Sequence, residues 1–587
     1  MYLLPLFLLA AGLNILLGAS AWPAVLAGNL QDPDSYMRLL RIEQGIRAGH
    51  LLTNVAGDQS GAGVMVEWSR LLDIVLWLMA APLAPFLGWH KALFAAGVAL
   101  GPLGVGFLGA VLAWAVEPFA LRRYLWSAAL AAAVLPGVVT IAVPGVVHYH
   151  VLLLAMIALT AGFTLRAWRG DSWAGFLAGL SGGFAIWLTP ETMPFVLMAY
   201  ASLMLKWLEA PDAPVLLTTA AGCFDVLAVA LFVDPPSGGY LVPEVDRLSC
   251  VYAVMALLFL AGAAILSRLQ KMRRWRGLTG FAVLAVLFGV WVAAFPGVVL
   301  GPYGILPPDE AKAFFGVITE QMPVRGRELV VFLFPGACTL AYALWRAFRR
   351  EDSVAAMLTP ELLKPRGNGR MVWLYLAACG AVALALGAKF LLFVGFSTAF
   401  AAALLPVAIS RASVDLAEKP QLASLARVGL LALVLGVPEL AATARPAPQA
   451  AAATPAHSYP SCKLHDIAQL LAQAARQVVL AAPDDAPELL YRTQVNTVGS
   501  LFHHGVAGYM RNRAAWRVVP GGVVPTEVSA TGAAYVLFCP RPARYLLVAD
   551  LPKDTLWDAL EAGAPPPWLA LAGQNADGWG LYKVVKP

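Results

Sequence analysis

From Met1 to Thr443 the sequence is a train of apolar stretches, each close to the length of a bilayer-spanning helix and separated by short loops. About 20 helical residues cross the hydrocarbon core of a bilayer, and lipid leaves a spanning chain only helices or closed barrels. Such stretches fall near 2–22, 92–117, 125–143, 150–167, 173–189, 193–208, 213–233, 248–267, 277–298, 329–347, 371–388, 390–409 and 425–443. The chain therefore reads as a polytopic α-helical membrane protein with about 13 transmembrane helices. Composition agrees, with 60% hydrophobic and 13% charged residues, where soluble domains carry about 25% charged. The net charge of +6 is spread over short loops. Orientation in a membrane accounts for it, and no nucleic-acid partner is expected.

With the N-terminus inside, the even-numbered connections hold Arg122 and Arg123, Arg166 and Arg169, Lys206, the run from Arg268 to Arg276, the stretch from Arg346 to Arg370, and Arg411 with Lys419. That is the cytoplasmic excess of basic residues that sets topology. Met1–Trp22 lacks a basic leader region and a clear cleavage site, so it is expected to remain as the first span. Leu71–Trp89 is apolar enough to cross, yet counting it would put Arg122 and Arg123 outside and invert every later loop. It is assigned to the first external loop, as a helix lying along or dipping into the interface.

After Thr443 the composition turns soluble. Residues 444–457 read as a Pro/Ala linker, and 458–587 as a small C-terminal α/β extracytoplasmic domain. Leu464–Val479 shows helical periodicity, while Ala534–Cys539 and Tyr545–Val548 read as strands. Cys462 and Cys539 both lie in this region, where a disulfide is permitted if it is outside the cytoplasm. Cys223, Cys250, Cys338 and Cys379 fall in apolar segments and read as packing residues.

With this topology, carboxylates, histidines and one lysine collect on the outer face. The first external loop (23–91) carries Asp32-Pro33-Asp34-Ser35-Tyr36, then Glu67 and Asp73. The second carries His148-Tyr149-His150 and the third Thr189-Pro190-Glu191-Thr192. The fifth (299–328) carries Gly301-Pro302-Tyr303-Gly304 and Val317-Ile318-Thr319-Glu320, with glycines that would let it close over a ligand. Lys389 is the only charge between Met371 and Ser410. Each feature also has a plain reading. Asp32 suits the N-cap of a solvated turn, Lys389 a snorkelling anchor, and His148 and His150 do not share a helix face. Two carboxylates one residue apart beside a span can instead hold a divalent cation or take a proton from an acceptor. Asp225, inside the seventh stretch, is costly without a partner, and the sequence offers none.

The order of these features resembles the oligosaccharyltransferase catalytic subunits of the GT-C glycosyltransferase superfamily, across most of the membrane region and through topology rather than identity. Asp32-Pro33-Asp34-Ser35-Tyr36-Met37-Arg38 is similar to that family's first acidic motif, and Glu67-Trp68-Ser69-Arg70-Leu71-Leu72-Asp73 to a Trp-containing stretch later in the same loop. Val317-Ile318-Thr319-Glu320 resembles its motif ending in a catalytic Glu, and Lys389-Phe390 stands where its diphosphate-binding base occurs. Still more similar are uncharacterised bacterial relatives with Gly-Arg-Ile-Asp-His-His, His-Trp-Ser-Arg and Tyr-His-Arg motifs. Here those places read Gly145-Val146-Val147-His148-Tyr149-His150, Glu67-Trp68-Ser69-Arg70 and Phe502-His503-His504.

The resemblance implies a GT-C membrane glycosyltransferase of a bacterial inner membrane, with its active site and C-terminal domain facing the periplasm. It would move a sugar or oligosaccharide from a polyprenyl phosphate or diphosphate donor to a lipid, glycan or protein acceptor. Asp32, Asp34 and Glu320 are then the catalytic candidates, and Lys389 and Arg38 the donor-phosphate ligands. Glu67, Trp68, Arg70, Tyr303, Glu191, His503 and His504 would contact substrate. Asp32, Glu320, His148 and His150 would hold a divalent cation such as Mn or Mg. Since His148-Tyr149-His150 replaces the family's second acidic motif, metal-independent transfer stays open. The Trp-Trp-Asp motif that reads an acceptor sequon is absent, which argues against Asn-linked glycosylation and leaves the acceptor open.

Three other classes compete. A transporter or flippase of lipid-linked sugars would show internal repeats and mid-membrane ionisable residues, and only Asp225 fits that pattern. A lipid-linked-polymer ligase is not separable from a smaller-sugar transferase by sequence. A non-enzymatic scaffold leaves Asp32 and Glu320 without a purpose.

Overall fold

The computed structural model describes residues 2–209, 213–269, 275–349, 369–444, 460–541 and 553–585. The chain divides into two compact units. The first comprises Met1–Trp22, Ala99–Ile305 and Glu320–Ala444; the second comprises Pro23–Val98, Leu306–Thr319 and Arg445–Pro587.

Among the described residues, ten helices are long and apolar enough to cross a bilayer, and the chain is a multi-pass membrane protein. The other three expected spans form shorter helices: Trp126–Val134 followed by Pro136–Val139, Ser172–Leu188, and Met193–Glu209. Pro136 explains the first break. Leu135 takes φ −64° and ψ 131°, the extended backbone that a residue before proline prefers. Leu71–Trp89 is not one helix either; it forms Leu71–Ala80, too short to span, and then Ala84–Leu87.

In the first unit, Ser172–Leu188 and Ala213–Val233 touch backbone to backbone. A Cβ at Gly179 would meet the Thr219 carbonyl oxygen at 1.9 Å, and one at Gly222 the Phe176 carbonyl oxygen at 2.2 Å. Small residues at such crossings are what hold helices together where lipid removes the hydrophobic drive. Asp225 lies on the exposed side of Ala213–Val233.

The second unit joins Pro23–Val98, the segment after the first span, to the C-terminal residues. Helix Pro33–Ala48 runs to a small antiparallel hairpin of β1 (Asn54–Val55) and β2 (Val64–Met65) and packs on helix Ala486–Arg492. The C-terminal sheet contains β3 (Val478–Leu480), β4 (Asn496–Thr497), β5 (Tyr535–Phe538), β6 (Leu569–Gln574) and β7 (Gly580–Val584), in the order β4-β3-β5-β7-β6. β3 is parallel to β4 and β5, while β7 is antiparallel to β5 and β6. Successive residues face opposite sides. Val479, Leu537 and Leu581 enter a core with Leu464, Ile467 and Trp579, while Leu480, Val536 and Phe538 enter one with Trp516, Trp557 and Trp568.

The helix expected over Leu464–Val479 ends early. Ile467–Leu471 and the turn Ala472–Ala474 are helical, but Val478 and Val479 join the sheet, where β-branched side chains pack well on a covered pleat. The strand expected at Ala534–Cys539 is present as β5, and the Cys462–Cys539 disulfide forms with Cα atoms 5.9 Å apart. Tyr545–Val548 and the linker beyond Ala444 lie outside the described residues.

Candidate active site

The sequence-selected residues divide between the units. Asp32, Asp34, Arg38, Glu67, Trp68, Arg70, His503 and His504 belong to the second; Glu320, Lys389, Glu191, His148, His150 and Tyr303 belong to the first.

In the second unit Asp32 ends the loop before helix Pro33–Ala48. Its backbone is extended (φ −153°, ψ 158°), and Pro33 fills the first helical position, where a missing N–H costs nothing. Asp32 Oδ1 accepts from the Ser35 N–H at 2.8 Å, and Oδ2 accepts from the Ser35 hydroxyl at 2.7 Å. The N-cap reading therefore describes its local geometry correctly. A carboxylate offers about four lone-pair positions, so capping alone does not exhaust it. Asp34, partly buried, is the first-turn acid of the same helix.

A second acidic residue stands within electrostatic range of Asp32. Burial, reinforced by neighbouring Asp485 and by Asp32 and opposed by Arg541, pushes the Asp484 carboxyl up to about 6. Asp485 is buried and paired with Arg541. Pro483-Asp484-Asp485-Ala486 reads in sequence as an ordinary helix start, so nothing there singles out Asp484.

The Trp-containing stretch builds a buried ion cluster. Asp73 takes Arg41 at 2.7 Å and Arg38 at 3.6 Å, all three at most 3% exposed. The Arg38 guanidinium lies 4.2 Å over the Trp68 ring, and Arg41 also donates to the carbonyls of Trp68 at 3.0 Å and Ser69 at 3.2 Å. Arg38, expected at a donor phosphate, is thus buried against Asp73 and Trp68. Trp68 meets Phe502 edge to face at 5.1 Å, and His503 Nδ1 lies 3.6 Å from the Glu67 carboxylate. Arg70 is buried and directed to the Leu51 carbonyl, while His504 stacks near His503 with centroids 4.6 Å apart.

In the first unit, Glu320 is exposed in the turn Thr319–Gln321. Two residues later the chain is clipped to the end of helix Gly369–Lys389. Val324 N–H donates to the Ala388 carbonyl at 3.2 Å, and Leu391 N–H donates to the Met322 carbonyl at 2.9 Å. Val324, Leu333 and Val394 form a small core beneath this clip. Lys389 is exposed, its ammonium 5.0 Å from the Phe390 ring centroid, at the helix end where positive charge is favoured. An apolar cavity of about 90 Å³ runs beside the same helix, walled by Leu376, Ala383, Leu154, Phe195, Phe396 and Phe400.

The first unit carries further polar groups. Glu191 is part-buried, with Thr189 Oγ1 donating to its carboxylate at 3.3 Å. His150 starts helix His150–Ala167 and is buried, and its ring meets that of His148 at 5.3 Å, so the i, i+2 spacing does bring the imidazoles together across a loop-to-helix junction. Only the backbone of Tyr303, in the turn Pro302–Ile305, is among the described parts. The connection between the seventh and eighth apolar stretches (residues 234–247), which drew no attention in the sequence, holds a buried network. Trp187 Nε1 donates to Asp234 at 3.0 Å, and Arg247 pairs with Glu244 at 3.0 Å and Asp234 at 3.5 Å.

No family model matches the chain, and no curated protein matches it. Solved structures do. The archaeal oligosaccharyltransferase AglB from Archaeoglobus fulgidus, solved with an inhibitory peptide and a dolichol-phosphate, matches with a TM-score of 0.68 at 12% identity, over 92% of this chain and 69% of its own. This chain has the oligosaccharyltransferase fold. An Archaeoglobus fulgidus oligosaccharyltransferase in the apo form matches at TM-score 0.64 and 13% identity, over 99% of this chain and 74% of its own. Its complex with Zn and sulfate matches at 0.61 and 14%, over 100% and 74%. The fold class expected from the sequence, a polytopic α-helical membrane protein with a small C-terminal α/β region, is the one observed, with ten rather than thirteen helices long and apolar enough to span among the described residues. A fold hosts many chemistries, so function has to be argued from the site itself.

Proposed function

We propose that this oligosaccharyltransferase-fold protein is a glycosyltransferase that moves a sugar or oligosaccharide from a polyprenyl phosphate or diphosphate donor to an extracytoplasmic acceptor. The observation that carries this reading is the clip between Met322–Val324 and Ala388–Leu391. It ties a carboxylate-bearing loop, with Glu320, to a solitary cation, Lys389, at the end of a helix that also walls an apolar cavity. An isoprenoid tail suits such a cavity, and a phosphate suits the cation.

Transfer is a displacement at the anomeric carbon: a bond from the acceptor forms as the bond to the phosphate oxygen breaks. Asp32 takes or orients the acceptor proton, and Asp34 supports it. Lys389 offsets the charge gathering on the leaving phosphate, as a point charge rather than a bidentate fork. Glu320 orients the acceptor. Arg38, buried against Asp73, holds the Trp68 stretch in place. The proposed setting is a bacterial inner membrane with the site facing the periplasm.

A divalent cation, Mn or Mg, belongs to the same reading. The donors named for it from the sequence are Asp32, Glu320, His148 and His150, since carboxylate with imidazole suits Mn or Zn; of these, the His148 and His150 rings lie with centroids 5.3 Å apart. When bound, such an ion would neutralise phosphate charge. One solved neighbour is a complex with Zn and sulfate.

The test uses native-host membranes carrying the full chain in a deletion background, supplied with a radiolabelled polyprenyl-diphosphate sugar. Asp32→Asn and Glu320→Gln should each abolish transfer of label out of the lipid fraction at unchanged protein level. Wild-type transfer in both variants overturns the proposal.

A further inference from the structure

The loop that delivers Asp32 is gripped by a residue far along the chain. Arg492 closes helix Ala486–Arg492, and its side chain is only 11% exposed. Its Nη2 donates to the Asn29 side-chain oxygen at 2.7 Å, the Tyr36 hydroxyl at 3.0 Å and the Gly28 carbonyl at 3.2 Å. Its Nε pairs with Glu488 at 2.6 Å, and the guanidinium lies 5.3 Å over the Tyr36 ring. The Tyr36 hydroxyl in turn accepts the Leu30 N–H at 2.9 Å.

These partners flank Asp32 on both sides. Gly28, Asn29 and Leu30 lead into it, with Gly28 at φ +81°, where a side chain would be strained. Tyr36 lies one turn into the helix that Asp32 caps. One planar guanidinium therefore fixes the approach and the exit of the turn. Arg loses little freedom per bond made in such a fork, and a lysine could not reproduce it. Adhesion between the segment after the first span and the C-terminal residues has other sources. Tyr36 meets Tyr491 at 5.3 Å, His90 stacks on Tyr491 at 4.8 Å, and buried Asp58 accepts from Thr497 at 3.0 Å and Ser500 at 2.5 Å. Arg492 adds aim to an interface that those contacts already hold.

We propose that Arg492 is a positioning residue that sets the Asp32 carboxylate for sugar transfer by gripping Gly28, Asn29 and Tyr36, which makes the C-terminal region a working part of the site. This rests on the reading of Asp32 as the acceptor's base or orienter.

The test measures transfer from the radiolabelled polyprenyl-diphosphate sugar by the full chain, with backbone amide exchange over residues 28–36. Arg492→Gln should lower kcat about tenfold to a hundredfold with the donor KM unchanged, since a charged hydrogen bond lost from an aligned site costs that much. Tyr36→Phe should lower kcat less, with the same split, and the double variant should be no worse than Arg492→Gln alone. Leu30 amide exchange should quicken in both single variants. Wild-type kcat in Arg492→Gln, additive effects in the double variant, or unchanged Leu30 exchange overturns the proposal. If Arg492→Gln does not fold, Tyr36→Phe decides alone through kcat and Leu30 exchange. If Asp32→Asn retains transfer, the reading of Asp32 falls; if Asp32→Asn is inactive while Arg492→Gln is normal, only the positioning role falls.

Discussion

Asp73 holds two buried cations with one carboxylate, and removing that carboxylate should be felt throughout the second unit. Asp73→Asn is nearly isosteric but leaves Arg38 and Arg41, each 1% exposed, facing a neutral amide. Breaking a buried pair from one side costs about 3–5 kcal/mol. Arg41 keeps the Trp68 and Ser69 carbonyls and Arg38 keeps the Trp68 ring, so the lower end applies, about 3 kcal/mol. In a unit of this size each kcal/mol moves the unfolding midpoint by about 2–4 °C, which gives a fall of about 6–12 °C. Thermal unfolding of the purified full chain, followed by tryptophan fluorescence, reads this directly. Adding Arg38→Met to Asp73→Asn should recover part of the loss, because one stranded charge is then gone. A midpoint within about 2 °C of wild type for Asp73→Asn, or no recovery in the double variant, refutes the ion-cluster reasoning.

Asp484 ionises near 6 when folded and near 3.8 otherwise, so the folded state holds its proton more tightly. Its contribution to stability is complete below about pH 4 and is lost as pH rises through about 6. Asp484→Asn should remove about 2 kcal/mol of pH dependence across that window, allowing for partial exposure; unfolding curves whose pH slope matches wild type would show otherwise. Lys389→Ala should cut transfer at least about tenfold while Lys389→Arg keeps most of it, because either cation meets a phosphate. Full activity in the alanine variant returns Lys389 to a membrane anchor. Cys462→Ser should cost about 2–4 kcal/mol, since the link joins residues 77 apart, and wild type under reductant should match it in denaturant unfolding.

The sequence alone determined that the chain crosses a membrane many times, because each span's apolarity and each loop's charge are sums over neighbouring residues. It also marked the acidic turn at Asp32, since capping is set by Asp32, Pro33 and Ser35 themselves, and it marked Lys389 as a solitary charge. Where neighbours outside the segment mattered, reading along the chain failed. Val478 and Val479 left their helical pattern for a sheet whose other strands lie from Asn496 to Val584. Arg38 resembled a phosphate ligand in its motif, yet Asp73 and Trp68 bury it. Asp484 carried no signal, because its shifted acidity comes first from burial, which only the fold decides, with additions from neighbouring Asp485 and from Asp32, some 450 positions earlier. Tertiary structure alone decided which residues share a carboxylate, a hydroxyl or a backbone carbonyl, as in Arg492 with Tyr36 or Val324 with Ala388. The physical reason is that hydropathy acts locally and additively, whereas a hydrogen bond or buried ion pair exists only where folding closes a long loop and excludes water around both partners.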